Sequence, residues 1–166
     1  MKRIIIPITL VLILAASCSD IDAINEVNAN MNLPFPIALA EDALEYGAEY
    51  EREQGFGGYT LSKDGLMFWV SGWPDVVDEY HITEYRFTSK EYNVFGIAVG
   101  TTLDNAVSIL KKHGYRRDKE EETWYGESNI YKKNGQVRIL LRAGEDGSIH
   151  EIWVTAIATN KDKVVF

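Results

Sequence analysis

Residues 59–71 read YTLSKDGLMFWVS, two stretches of strand-forming residues separated by Asp64 and Gly65. An Asp-Gly pair suits a two-residue type I′ turn, because both central residues of that turn need positive φ. The pattern therefore predicts an antiparallel hairpin in which Tyr59–Lys63 pairs with Leu66–Ser71.

A second hairpin of the same kind is predicted further along the chain. Asn134 and Gly135 separate Ile130–Lys133 from Gln136–Arg142, and both flanking stretches have residues typical of strands. One more strand is expected after each hairpin, because the alternation of apolar and polar residues resumes there. These two strands are His81–Thr88 and Ile149–Ala156.

Helical periodicity precedes each hairpin. Apolar residues at helical spacing predict a first helix over Ile37–Gln54, which Gly55 would end. A second helix is predicted to begin after Thr101 or Thr102, its N-cap residue, and to end at Gly114 in the C′ position. Its first turn is acidic and its last turn basic, which agrees with the helix dipole.

The order of helix, hairpin and strand thus occurs twice. We expect an α+β fold of two tandem units, residues 35–95 and 96–166, each with a helix packed on one face of a three-stranded antiparallel meander. Lys63-Asp64-Gly65 and Lys133-Asn134-Gly135 match at an offset of 70. The alternative is coincidence, since this order and this turn are both common.

The first residues have the features of an export signal. Lys2 and Arg3 precede an apolar run from Ile4 to Ala16, thirteen residues long. That run is shorter than the roughly 20 residues that span a bilayer, so it predicts a signal peptide over residues 1–17.

The signal ends at the chain's only cysteine. Residues 14–18, LAASC, resemble the lipobox of bacterial lipoproteins, although Ala15 stands where the commonest lipoboxes have Leu. The resemblance implies that Cys18 carries acyl chains such as palmitate and attaches the protein to a membrane. An ordinary secretory signal with a chance cysteine is the alternative. We expect an exported protein on the outer leaflet of the plasma membrane, or on the outer membrane of a two-membrane host.

The charge and composition of the chain limit the classes of partner that it is expected to bind. The chain has 25 acidic and 17 basic residues, with a formal net charge of -8. An acidic body argues against nucleic acid as a partner. A hydrophobic content of 46% favours a folded body. Residues 18–34 are polar and are expected to form a lipidated tether.

One part of the chain resembles a known group of domains. FGIAVGT at residues 95–101 leads into a short helix closed by Gly114 and Tyr115, and an aromatic-rich meander follows. This order resembles the β-lactamase-inhibitor-protein-like domains, which include the SmpA/OmlA lipoproteins. The resemblance implies a module that binds another protein through the exposed face of its sheet, and it carries no catalytic residue.

Aromatic residues on or beside the predicted strands are the candidate binding residues. Tryptophan and tyrosine provide large contact area and are enriched at binding hot spots. Trp69 cannot be assigned to a face, because its strand is apolar on both faces. Each aromatic residue could instead fill the core. The candidate partner-binding residues are Trp153, Trp73, Trp69, Trp124 and Tyr125.

Alternation assigns faces in the last strand of each unit. In the second unit it directs Trp153 outward with Glu151 and Thr155. His150 is directed inward, together with Ile152, Val154 and Ala156. In the first unit the matching positions direct Tyr85 and Phe87 inward, and Glu84 and Arg86 outward.

The sequence predicts neither catalysis nor a bound metal or cofactor. His81 follows Asp75, Asp78 and Glu79, but their spacing is not that of an EF-hand loop. The sequence has no phosphate-binding glycine loop and no nucleophile elbow. We expect a lipid-anchored module that binds an envelope protein; the alternative is an envelope receptor for a carbohydrate or cell-wall fragment.

Overall fold

The computed structural model describes residues 20–37, 49–55, 57–71, 81–119, 128–135 and 137–156. Several predicted features lie outside these residues. They are the signal peptide with Cys18, most of the predicted first helix, the acidic loop before His81, and the aromatic residues Trp73, Trp124 and Tyr125.

The described chain contains two short helices and ten strands. Eight strands form one antiparallel sheet in the order β1-β2-β3-β4-β10-β9-β8-β7, and β5 pairs separately with β6. The elements are α1 (Asp20–Ala29), β1 (Glu51–Gly55), β2 (Gly58–Lys63), β3 (Leu66–Ser71), β4 (His81–Phe87), β5 (Asn93–Val94), β6 (Ile97–Ala98), α2 (Leu103–Lys112), β7 (Arg116–Arg117), β8 (Ser128–Lys133), β9 (Val137–Ala143) and β10 (Ile149–Ala156).

The predicted α+β fold of helices packed on paired meanders is wrong. The protein is a β-rich fold, in which one continuous sheet replaces the two separate meanders. Glu51–Gly55, the end of the predicted first helix, forms the edge strand β1, and all five of its residues are exposed. A charged, exposed edge strand lacks the alternation that identifies strands in a sequence, and it protects a sheet edge from unwanted pairing.

The two halves of the sheet meet where β4 pairs with β10. Arg86 lies opposite Trp153 in this pairing, with Tyr85 opposite Val154. Each central strand has a bulge at its beginning: the ladder to the neighbouring strand skips Thr83 in β4 and His150 in β10. Thr83 and His150 are 67 positions apart, as are Glu84 and Glu151, so the halves carry the same irregularity at the same place.

The two predicted hairpins are confirmed, with one difference. Asp64 and Gly65 have φ values of 48° and 78°, as a type I′ turn requires. Lys63 pairs directly with Leu66, whereas Lys133 pairs with Val137 and leaves three residues between the strands. The second loop is therefore one residue longer than predicted, and β9 begins after Gln136.

The main hydrophobic core lies on one face of the sheet, which we call the inner face. Alternate residues of the central strands point into it, and both helices contribute buried side chains. Helix α2 ends as predicted, with Thr102 as N-cap residue, basic residues in its last turn and Gly114 at a φ of 82°. Its buried residues are Ala106 and Leu110. The core side chains of the inner face include Leu61, Phe68, Tyr85, Phe87, Ile139, Leu141, Ile152 and Val154.

Residues 20–34 do not form the predicted tether. Ala23, Ile24 and Val27 of α1 are buried in the core. The chain after α1 is held by Asn28, whose Nδ2 donates to the carbonyl of Ile37 (2.9 Å) and whose Oδ1 accepts from the Ile37 amide (2.8 Å). The Asn28 side chain thus takes the place of a backbone hydrogen-bonding partner for Ile37. The polar segment of residues 20–34 is therefore part of the folded body.

Asn32 fixes the next turn of the same segment. Its Oδ1 accepts from the Asn93 amide (2.6 Å), and its Nδ2 donates to the carbonyl of Glu91 (2.7 Å). Met31 bridges Val94, so the segment adds a strand-like contact to the small β5–β6 pair. Tyr85 completes the attachment, since its buried hydroxyl donates to the carbonyl of Phe35 at 2.8 Å.

A charged contact also holds α1 to the rest of the protein. Glu26 accepts from His113 Nδ1 at 3.0 Å and forms an ion pair with Lys133. Burial pushes the pKa of Glu26 upward, but the hydrogen bonds from Lys133 and His113 outweigh burial and lower it below the ordinary 4.5. The ionised form of Glu26 is therefore the stabilising one.

We expect Glu26→Gln to lower the unfolding free energy by about 1 kcal/mol at pH 7, because the amide loses the charge that Lys133 pairs with. A lowered pKa gives stability that is present above pH 4.5 and is lost as the pH falls through the folded-state pKa. The difference between wild type and variant in urea unfolding should therefore vanish at low pH. The exposed Glu53→Gln is the matched control; a difference unchanged from pH 7 to pH 3 would contradict this role.

Candidate functional site

The face of the sheet opposite the main core, which we call the outer face, carries the candidate site. Residues directly opposite each other in an antiparallel ladder point to the same side. Arg86 lies between Met67 and Trp153, and Trp69 lies between Thr60 and Glu84. The outer face therefore presents two neighbouring cross-strand rows, one through Trp153 and one through Trp69.

Four residues at the junction of the two halves form what we call the Arg–Trp clasp: Arg86, Arg142, Glu151 and Trp153. Glu151 is only 3% exposed although it lies on the outer face. One of its oxygens accepts from Arg86 Nε, and the other accepts from Arg142 Nη1 at 2.8 Å. Both guanidinium groups are thereby fixed by one buried carboxylate from the strand between them.

The same guanidinium groups lie against the indole of Trp153. The Cζ atoms of Arg86 and Arg142 are 5.0 and 5.2 Å from the ring centroid, within the range of cation–π contacts. Arg86 projects from β4 and Arg142 from β9, and these strands lie on either side of β10. The half-buried indole therefore has little freedom to change rotamer.

The balance of charge explains why Glu151 can be buried. A carboxylate taken out of water costs several kcal/mol, and only good geometry with further hydrogen bonds compensates it. Glu151 has both, while its two arginine partners keep about a third of their side chains exposed and remain hydrated. Arg142 is oriented further by Ser128, whose Oγ accepts from Arg142 Nε at 3.3 Å.

Trp69 occupies the other row and covers two glycines. A Cβ at Gly55 would come within 2.9 Å of the indole, and one at Gly58 would come within 3.0 Å of it. The side chain thus lies across β2 towards the edge strand β1, where the missing side chains make room. This packing covers glycines that would otherwise weaken the sheet edge.

Beside Trp69, Glu84 joins the two halves a second time. Thr155 Oγ1 and Glu84 Oε2 form a hydrogen bond of 3.3 Å across the β4–β10 junction. Burial raises the pKa of the Glu84 carboxyl, although the Thr155 hydrogen bond and the charges of Arg138 and Arg86 partly offset it. The outer face at the junction thus contains both basic and acidic groups, each with a partner.

A cavity of about 560 Å³ opens on the outer face next to the clasp. We call it the hairpin cavity, because it lies at the turn of the β2–β3 hairpin. Arg86 borders it on one side, so this guanidinium belongs both to the clasp and to the cavity. Its lining is Glu49, Glu51, Ser62, Lys63, Asp64, Gly65, Leu66, Met67, Arg86 and Thr88.

Two of the five predicted binding residues, Trp69 and Trp153, lie in the described part of the chain, and both are on the outer face. Glu84, Arg86, Glu151 and Thr155 also face outward as predicted. His150 is exposed, so its predicted inward position is wrong. The bulge at His150 shifts the alternation by one residue, and Ile149 is buried instead.

The roles of Arg86 and Arg142 could not be predicted from the sequence. The two arginines are far apart in the chain and become neighbours only because β4 and β9 both pair with β10. The usable signal was Glu151, an acidic residue within an apolar strand, since a carboxylate there needs cationic partners.

Comparison with known proteins finds no family model, no curated protein and no solved structure that matches the chain. Within the described residues, no helix is long and apolar enough to cross a membrane. The same residues contain no group of three or more histidine, cysteine, aspartate or glutamate side chains that could hold a metal ion.

We expect Glu151→Gln to lower the unfolding free energy by about 2–3 kcal/mol, because two adjacent guanidinium groups lose their shared carboxylate. Since both arginines are partly exposed, the loss should stay below that of a fully buried pair. Urea unfolding measures it, and Glu145→Gln in an exposed turn is the matched control. A loss under about 0.5 kcal/mol would show that the clasp contributes little.

Proposed function

We propose that the chain is a lipid-anchored module of the bacterial cell envelope that binds another protein through the outer face of its sheet, without catalysis. The observation that carries the proposal is the Arg–Trp clasp. Tryptophan and arginine are the residue types most enriched at interface hot spots, and here both are held rigid before any partner arrives. Rigid groups lose less entropy on binding.

The surroundings of the clasp also suit a protein partner. Trp69 and Met67 extend the apolar area of the outer face, and charged groups surround it. An apolar centre with a polar rim is the usual anatomy of a protein interface. The resemblance of residues 95–101 and the following meander to inhibitor-like lipoprotein domains points to the same class of function.

Attachment through Cys18 leaves the half-buried Met67, Trp69 and Arg86 of this face available, whereas Ile130 and Leu140, in the same row as Trp153, are buried. Helix α1 begins at Asp20, two residues after the proposed lipid anchor, and its apolar side packs into the inner-face core. The proposal therefore puts the membrane on the side of the inner face. With residues 20–34 folded, the body is held close to the bilayer and is not suspended on a long tether.

A receptor for a carbohydrate or cell-wall fragment is the second candidate. One observation favours it: the hairpin cavity lies within the size range of small-molecule sites. Aromatic Trp153 lies across Arg86 from this cavity.

A photo-crosslinking experiment on the full chain in its native membranes tests the proposed protein binding. A benzophenone amino acid placed at Met67, on the outer face, should give a discrete crosslinked protein. The same amino acid at Asn105, on the exposed side of α2, should not. Adding Trp153→Ala to the Met67 probe should remove the product, because the variant loses the fixed indole.

The Cys18→Ser chain is the control for the anchor: it should lack incorporated palmitate and leave the membrane fraction. Circular dichroism of each variant verifies that the sheet is intact. Equal products from Met67 and Asn105, or a Met67 product that survives Trp153→Ala in a folded protein, would contradict binding through the outer face.

A further inference from the structure

Arg86 has hydrogen-bonding capacity that the clasp does not use. Its Nε donates to Glu151, and its guanidinium plane lies near Trp153, so its orientation is fixed. Among the described residues, neither of its Nη groups has a hydrogen-bond partner. Glu151 is shared with Arg142, so Arg86 has only part of this carboxylate as its hydrogen-bonding partner. An oriented guanidinium with free N–H groups at a cavity wall is a carboxylate-binding group.

The rest of the hairpin cavity has the opposite charge. Lys63 is paired with Glu49 at 2.7 Å, which removes that cation from consideration. Glu51 and Asp64 remain, and neither forms an ion pair with another described residue. The cavity therefore offers one cation at the Arg86 end and, elsewhere in its lining, two carboxylates that form no direct ion pair with a described residue.

From this arrangement we infer that the hairpin cavity binds a ligand that carries a carboxylate beside a cationic group. The carboxylate is held by the Arg86 Nη groups, and the cation lies near Glu51 and Asp64. The hydroxyl of Ser62 is available to the ligand's polar atoms, and the apolar stem between its two charges packs on Met67. A peptide C terminus that ends in lysine or arginine has this chemistry, as has a free dibasic amino acid.

The charge balance disfavours other anions. A phosphate group brings a larger negative charge beside Glu49, Glu51 and Asp64, and the Coulomb repulsion from these three carboxylates opposes its binding. A ligand without a cation would leave Glu51 and Asp64 without partners. This inference rests on the proposed function: when a protein partner binds the outer face, the ligand of the hairpin cavity is the C terminus of that partner.

Calorimetric titration of the detergent-solubilised full chain tests the inference with defined peptides. The probes are acetyl-Ala-Ala-Lys with a free carboxylate, the same peptide as its C-terminal amide, acetyl-Ala-Ala-norleucine as the free acid, and free lysine. The free-acid lysine peptide should bind at least ten-fold more tightly than its amide. The norleucine peptide should bind more weakly than the lysine peptide.

Two variants assign the contacts. Arg86→Lys keeps the charge beside Glu151 but lacks the forked donor, so it should weaken binding of the lysine peptide at least ten-fold. Glu51→Gln should weaken the lysine peptide and leave the norleucine peptide unchanged. The comparison of acid with amide needs no substitution, so it remains decisive if Arg86→Lys does not fold.

The outcomes separate the cavity from the proposed function. Equal binding of acid and amide, or no binding of either at millimolar concentration, overturns the inference, while a Met67 crosslink would still support the protein partner. Tight binding of the acid peptide without any crosslink supports the cavity and rejects the protein partner. Free lysine binding as tightly as the peptide identifies a free amino acid as the ligand, and peptide-only binding identifies a chain end.

Discussion

The pairing of β4 with β10 is the constraint on which the rest of the structure depends. It joins two four-stranded halves into one sheet, and it brings Arg86 opposite Trp153 at the centre. The two central strands carry matching bulges, at Thr83 and His150, directly before Glu84 and Glu151. A bulge re-aims the side chains that follow it. Both glutamates face outward in the regular alternation that follows the bulge, where Glu84 meets Thr155 and Glu151 meets two arginines.

This constraint links the fold to the proposed site. An apolar residue in place of Glu151 would leave the two arginines without a shared anion, and an isolated carboxylate would be too costly to bury. Glu151, Arg86 and Arg142 together form a polar group that fixes the register of β10 against β4 and β9 at one position. The same contacts fix the orientation of the Arg86 guanidinium that we propose binds a ligand. One set of contacts therefore stabilises the sheet and preorganises its outer face.

The sequence predicted those parts of the fold that depend on local signals. Asp64-Gly65 and Asn134-Gly135 identify turns by backbone conformation alone, and α2 has apolar spacing, a cap and a C′ glycine. The segment from Asp20 to Ile37 was missed because its attachment uses Asn28 and Asn32, residues that usually indicate loops. Edge strand β1 was missed because all of its residues, including Glu51 and Glu53, are exposed, so the strand has no alternation of apolar and polar residues. The Arg–Trp clasp forms between strands that are far apart in the chain. In the sequence, only the acidic Glu151 within an apolar strand indicated it.

The central claim, that the β4–β10 junction makes both halves one cooperative unit, is tested most directly by native-state hydrogen exchange on the full chain. The slowest amides of β3 and β4 and those of β9 and β10 should exchange through the same opening, with free energies equal to within about 1 kcal/mol. If one half exchanged at an opening free energy lower by more than about 2 kcal/mol while the other stayed protected, the halves would be independent units and the account would be contradicted.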